Sequence, residues 1–304
     1  MALESRAPRT HTRSVAVHLD PGWKRHVDPA WLPGWNPEPF EITGGTTEVV
    51  AIGRGPAVVL LPPLPGFKES WLACAAPLAR RFRVVTYDLR SRFPGPPRWE
   101  PLLEDLERVL DRYADGPVAM VGHSLGGALA QRFALARPER VRALVLSSSF
   151  ARVSTPGVDR RARFIEQPMV LASQRLLPRG LALALARRLA ARGAWVYDLR
   201  CDERLLDFVR FCIRDVPIGV ARNAVNLAFA HDTRATLAAI RCPTLLVTGE
   251  CESAFVRESV AELGRLMPGA ETRVSPGVGH LHPLSGCGWL VETLTEWLGK
   301  NLAA

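Results

Sequence analysis

The stretch Val118-Ala119-Met120-Val121-Gly122-His123-Ser124-Leu125-Gly126-Gly127-Ala128-Leu129-Ala130-Gln131 decides the fold. It opens as a short apolar run and, from Leu125 onward, continues with helical periodicity, so a strand turns directly into a helix. Ser124 sits on that turn. The G-x-S-x-G spacing has a mechanical reason: the serine occupies strained backbone, and small residues two positions to either side let the turn close. Its hydroxyl is thereby presented above the sheet, at the positive end of a helix, where a developing oxyanion is stabilised.

Working outward from this turn, the chain alternates. Strands are expected at Glu48–Ile52, Ala57–Leu61, Arg83–Tyr87, Val118–Val121, Ala143–Leu146, Thr244–Thr248 and Glu271–Ser275. Helices are expected at Lys68–Arg80, Trp99–Tyr113, Leu125–Ala136, Ala254–Leu266 and Gly288–Leu298. Such alternation implies crossover units and a mostly parallel sheet flanked by helices, an α/β fold. Between Phe150 and about Arg234 it stops, and the segment reads as helical over Arg160–Ser173, Gly180–Arg192 and Glu203–Arg214. A helical block between two strands of a parallel sheet is what a lid would look like. The expected organisation is an N-terminal arm over residues 1–40, a core over 41–150 and 235–304, and a helical lid over 151–234. The arm is rich in Pro, Trp and Arg, with one short strand expected at Val15–Leu19 and with Trp23, Trp31 and Trp35 expected to pack on the core.

Composition narrows the function classes. The 304 residues are 47% hydrophobic and 23% charged, enough apolar content for a large folded core. The net charge is +9, yet the basic residues, 36 Arg against 3 Lys, are interleaved with acids. Without a basic stripe or a reading motif, nucleic-acid binding is not expected; a mild attraction for anionic substrates or carriers is. The six cysteines lack paired C-x-x-C spacing, which suggests reduced thiols and a cytoplasmic location. No run approaches the roughly 20 apolar residues that span a bilayer, so no membrane partner is expected.

The stretches Gly122-His123-Ser124-Leu125-Gly126-Gly127 and Cys242-Pro243-Thr244-Leu245-Leu246-Val247-Thr248-Gly249-Glu250 resemble those of the α/β-hydrolase superfamily, over about Phe40 to Leu298. The resemblance implies a serine nucleophile followed in chain order by an acid and a histidine. His280, at the end of Ser275-Pro276-Gly277-Val278-Gly279-His280, matches the loop that carries the base, with His282 as its competitor. The acid position, third after Gly249, holds Glu252 where relatives usually place Asp; Glu250 is the alternative. The oxyanion hole implied is the backbone N–H of Leu64 with that of Leu125, although Pro62 and Pro63 stand where relatives carry His and Gly.

Taken with Ser147-Ser148-Ser149-Phe150, the Leu-Pro-Pro segment is similar to maspardin-type proteins, which raises a non-catalytic binding or scaffolding role as the alternative. After Asp88, Arg90-Ser91-Arg92 replaces the usual glycine-rich turn, so either arginine is a candidate for an anionic substrate. The expected activity is cleavage of a carboxylic ester or related acyl bond of a small molecule, anionic or carrier-linked, without cofactor or metal. Acyl transfer and C–C hydrolysis use the same residues and are not separated from it by sequence. Dehalogenase and epoxide hydrolase chemistry are disfavoured, because relatives performing them carry aspartate where Ser124 stands.

Overall fold

A computed structural model of the chain describes residues 14–153, 172, 175–190 and 203–302. Residues 1–13 of the arm, and all but residue 172 of the helix expected at Arg160–Ser173, lie outside this set.

The strands are β1 (Glu38–Ile42), β2 (Gly45–Ile52), β3 (Ala57–Leu61), β4 (Arg83–Tyr87), β5 (Val118–His123), β6 (Val141–Ser147), β7 (Thr244–Gly249) and β8 (Glu271–Ser275). They form one sheet in the order β1-β2-β4-β3-β5-β6-β7-β8. The first two pair antiparallel, as do β2 and β4; every pairing from β4 to β8 is parallel. β1 was not expected: Pro39 and two glutamates disguise it. Such residues are tolerated on an edge strand, where one side of the backbone needs no ladder partner.

The helices are α1 (Leu72–Leu78), α2 (Glu100–Tyr113), α3 (Leu125–Ala136), α4 (Arg179–Ala190), α5 (Glu203–Asp215), α6 (Ile218–Phe229), α7 (Ala254–Leu266), α8 (His282–Ser285) and α9 (Cys287–Leu302). Lys68–Trp71, expected as part of one helix with α1, forms a separate 3-10 turn. The helix α2 shows how sequence selects a face. Leu102, Leu106, Val109 and Leu110 are buried at one-turn spacing while the opposite side is charged.

Two apolar layers sandwich the sheet. One gathers α1 and α9 with Val58, Leu60, Val84, Ala119, Val145 and Leu245. The other joins α2, α3 and α7 to Val59, Leu61, Met120, Leu144 and Leu246. Each fully buried Leu or Val contributes about 1.5–3 kcal/mol relative to exposure, so these strands dominate the stability of the domain.

The arm belongs to the first layer. Trp23 and Trp35 are buried in it, and Trp31 packs against it. Trp23 meets Phe208 of α5 edge-on, with ring centroids 6.2 Å apart. The strand expected at Val15–Leu19 does not form; this stretch is tied to the sheet by a bridge from Ser14 to Thr46, by the Val15 N–H donating to the Thr46 carbonyl, and by His18 against Asp88. Val15 and Leu19 are buried all the same, and Val17 packs half-buried against the first layer.

Strand order reverses between β3 and β5: the chain leaves β3 outward to β4, then returns to β5 on the other side. In open α/β sheets the crevice beyond the carboxyl ends of the strands at such a reversal is where ligands bind. Leu64 follows β3 and Ser124 follows β5, so both flank that crevice.

Candidate active site

The turn at Ser124 is as tight as its sequence implies. Ser124 has φ 52° and ψ −115°, a conformation that L-residues rarely hold. A methyl group on Gly122 would fall on the backbone of Gly126, and one on Gly126 would fall on the carbonyls of Leu61 and Pro62. The first turn of α3 is thus pressed against the chain leaving β3 at Leu61 and Pro62. Ser124 itself is 9% exposed.

Glu252 follows β7 and His280 follows β8, two adjacent parallel strands. The Nδ1 of His280 and Oε1 of Glu252 lie 3.0 Å apart, with the residues 7% and 2% exposed. Burial alone would raise the Glu252 carboxyl. The charge of His280 and its hydrogen bond outweigh this, with a smaller contribution from the Ser148 hydroxyl, and hold it below the usual glutamate value. An ionised Glu252 therefore accepts from the Nδ1–H of His280, which leaves Nε2 as the basic nitrogen of the neutral ring. Glu250, the alternative acid, instead accepts from the backbone N–H of Gly277, 2.6 Å away, and braces the loop that carries His280.

The link between the Ser124 turn and the loop that carries His280 runs through His123. Its Nε2 lies 2.8 Å from the carbonyl oxygen of His280, and the two imidazoles meet at a tilt of 41° with centroids 4.8 Å apart. Since a carbonyl only accepts, Nε2 carries the proton and Nδ1 accepts from Ser147 Oγ at 3.0 Å. Ser147 Oγ also lies 2.6 Å from His282 Nε2, and His282 Nδ1 lies 3.2 Å from the carbonyl oxygen of Gly279. Burial, then the charges of His280 and His282, push His123 well below the ordinary histidine value, so it stays neutral. His282, the competitor for the role of base, is thus fully buried and engaged beneath the site, while His280 meets the carboxylate.

Ser148 was not singled out by sequence reasoning. It follows β6, has φ 45°, and lies fully buried between the two loops. Its Oγ and the second carboxylate oxygen of Glu252 each lack a hydrogen-bond partner of ordinary geometry among the described residues, although the hydroxyl favours the ionised carboxyl. The positive φ at a non-glycine residue is invisible in sequence.

One expected role is filled otherwise. Arg90 is buried and grips Asp105 of α2 through Nε at 2.7 Å and Nη2 at 2.8 Å, so it ties a loop to a helix rather than facing a substrate. His18, Glu48 and Asp88 bring ligand-type atoms within 4.8 Å of one another. Lys68 Nζ sits 2.8 Å from Glu48 and 2.7 Å from Asp88, so the position a cation would take already holds an ammonium. Among the described residues no helix is long and apolar enough to cross a membrane.

With this geometry in place, comparison with known proteins gives the class. Residues 58–293 match the model of the alpha/beta hydrolase family, and the chain belongs to that family. It is an α/β-hydrolase, as the resemblance implied. A thermophilic esterase from Thermogutta terrifontis superposes with a TM-score of 0.70 at 26% identity, covering 88% of this chain and 99% of that one. The pimeloyl-[acyl-carrier protein] methyl ester esterase of Yersinia enterocolitica is 28% identical over 69% of this chain and 80% of its own length. The polyketide synthase ThaQ of Burkholderia thailandensis is 28% identical over 86% of this chain, which spans only 12% of that much longer protein.

Proposed function

We propose that the chain is a serine hydrolase of carboxylic esters or related acyl bonds, with Ser124 as nucleophile, His280 as base and Glu252 as orienting acid. The observation that carries this reading is the buried 3.0 Å contact of His280 with Glu252, beside a serine held at φ 52° on the strand–helix turn. Ser124 Oγ attacks the acyl carbon as His280 Nε2 takes its proton, and Glu252 stabilises the imidazolium that results. The backbone N–H groups of Leu64 and Leu125 receive the oxyanion; neither is proline, so both have a proton to give. His280 then protonates the leaving oxygen. Water, deprotonated by the same ring, releases the acyl group.

The helical block over 151–234 acts as the lid, and the described part of the arm meets it where Trp23 packs against Phe208 of α5. The substrate is a small acyl compound, and the relative named as acting on a carrier-borne ester makes a carrier-linked acyl chain a natural member of the class. Cys74, Cys242, Cys251 and Cys287 carry free thiols, which fits a cytoplasmic location.

Labelling with a fluorophosphonate tests the mechanism directly. The native chain should label at Ser124, and Ser124→Ala and His280→Ala should abolish labelling while keeping the native circular dichroism. A folded native chain that does not label would overturn the proposal in favour of the binding or scaffolding role.

A further inference from the structure

Gly127, the glycine that directly follows the G-x-S-x-G spacing, is required by a side chain from the next strand's end. A methyl group on it would fall on Oγ and Cβ of Ser149. Ser149 stands two residues beyond β6 and is fully buried against the first turn of α3. Its hydroxyl donates to the carbonyl oxygen of Ser124 at 2.9 Å. That oxygen already accepts from the backbone N–H groups of Gly127 at 3.0 Å and Ala128 at 3.3 Å, so the helix alone would satisfy it. Gln131 Nε2, bonded to the Phe150 carbonyl at 3.0 Å, also reaches Ser149 Oγ at 3.4 Å. An amide N–H only donates, so this contact leaves the serine's own proton for the Ser124 carbonyl.

The Ser124 carbonyl and the Leu125 N–H are the two ends of one peptide unit. The unit is planar and trans, so its N–H points opposite to its C=O, and fixing one end fixes the other. As the first N–H of α3, that of Leu125 has no acceptor within the helix. We infer that Ser149 is a positioning residue of the oxyanion hole, its grip on the Ser124 carbonyl aiming the Leu125 N–H at the oxygen that gains charge. This rests on the serine-hydrolase reading, which gives the Leu125 N–H its role. Two effects act in the same direction. The hydroxyl holds the peptide plane against rotation, so the donor needs no reorganisation during reaction. Donation to the carbonyl also polarises the peptide and strengthens the N–H at its far end, as in any chain of hydrogen bonds. A serine that only filled space would lower stability when lost and leave the chemical step alone.

The concentration dependence of fluorophosphonate labelling distinguishes the two roles. As Ser124 Oγ bonds to phosphorus and fluoride departs, the phosphoryl oxygen gains negative charge where a tetrahedral oxyanion would sit. Ser149→Ala should lower the maximum labelling rate by roughly tenfold, less than the roughly 10²–10³-fold of a deleted donor, because the N–H is misaimed rather than removed. The concentration giving half of that rate should change by less than about twofold, since the donor acts on charge present only in the transition state. The acid limb of the labelling profile should stay in place, because this hydroxyl bonds the Ser124 carbonyl and not Glu252. Ser149→Cys, a weaker donor at the same position, should fall between Ser149→Ala and the native chain. An unchanged maximum rate in folded Ser149→Ala, or an acid limb that moves with the rate, would overturn the inference while leaving the serine-hydrolase reading intact. A folded native chain that does not label would overturn both.

Discussion

Two buried glutamates near the carboxyl edge of the sheet have opposite fates. Glu69, after β3, shares Lys68 with Asp88: its Oε1 lies 3.0 Å from Nζ, while Asp88 lies 2.7 Å from the same nitrogen. Burial first, and the Asp88 charge second, push its carboxyl up to about 7. Glu252 is equally buried, yet its carboxyl is held below the usual value, because His280 is its own partner rather than a shared one. Burial alone therefore does not mark a working carboxylate. What separates the two is whether the partner cation is contested, and whether it can exchange a proton. Burial would lower the Lys68 ammonium, but the charges of Asp88 and Glu69 and the hydrogen bonds to Asp88 and Glu48 outweigh it and raise it above the ordinary lysine value. His280 presents a second ring nitrogen beside the one that faces Glu252, and an imidazole partner of this kind is what acid–base chemistry needs.

Replacing the carboxylate while keeping its shape breaks this contrast most sharply. Glu252→Gln keeps a hydrogen-bond acceptor for His280 but removes the charge that stabilises the imidazolium, so the fluorophosphonate labelling rate should fall on the order of 10³–10⁴-fold with the fold intact. A rate within a few-fold of native would remove Glu252 from the triad. Lys68→Met should do the opposite. It leaves Asp88 and Glu69 buried without their cation and should lower unfolding stability by about 3–5 kcal/mol in urea titration, while any protein that remains folded labels normally. Loss of labelling in that folded fraction would join Lys68 to the site.

A smaller effect separates the clusters by pH. The folded Glu69 carboxyl lies near 7 and the unfolded one near 4.5, so the folded state binds its proton more tightly. The stability this supplies is present below about pH 4.5 and is lost as pH rises toward 7, at up to roughly 1.4 kcal/mol per pH unit. Glu69→Gln should remove that slope, so the stability difference between variant and native should move in favour of the variant from pH 5 to pH 8. A difference independent of pH would show that Glu69 is ionised throughout.

The parts of this picture visible in sequence are those set by local spacing. Gly122, Ser124 and Gly126 announce the strand–helix turn because the clash they avoid is between residues a few positions apart. His280 and Glu252 were found by chain order after the last two parallel strands, and the structure brings their side chains together. Contacts between distant segments were not visible. Arg90 looked available because nothing in its neighbourhood announces Asp105, a full helix turn into α2. The apolar alternation of Val15–Leu19 imitates a strand, but here it fits side chains into a packed layer. His123 drew notice only as the variable position of a motif, although its Nε2 holds the loop of the proposed base.

Ser148 offers the finest test of the same comparison. Glu252 differs from Glu69 in having a hydroxyl, not a second carboxylate, beside its remaining oxygen. That hydroxyl sits on strained backbone at φ 45°, a cost of the order of 1–3 kcal/mol that surrounding structure must hold in place. Ser148→Ala keeps the backbone and removes only the donor. The labelling rate should fall by roughly tenfold or less, the worth of one hydrogen bond to a charged group. Because Glu252 then loses a stabiliser of its ionised form, its carboxyl should rise, and the acid limb of the labelling profile should move to higher pH. A slower rate with an unmoved acid limb would assign Ser148 to packing alone. A shifted limb would mean that the hydroxyl acts through the carboxylate, and that the site keeps Glu252 ionised by surrounding it with donors where the Lys68 cluster surrounds Glu69 with a rival.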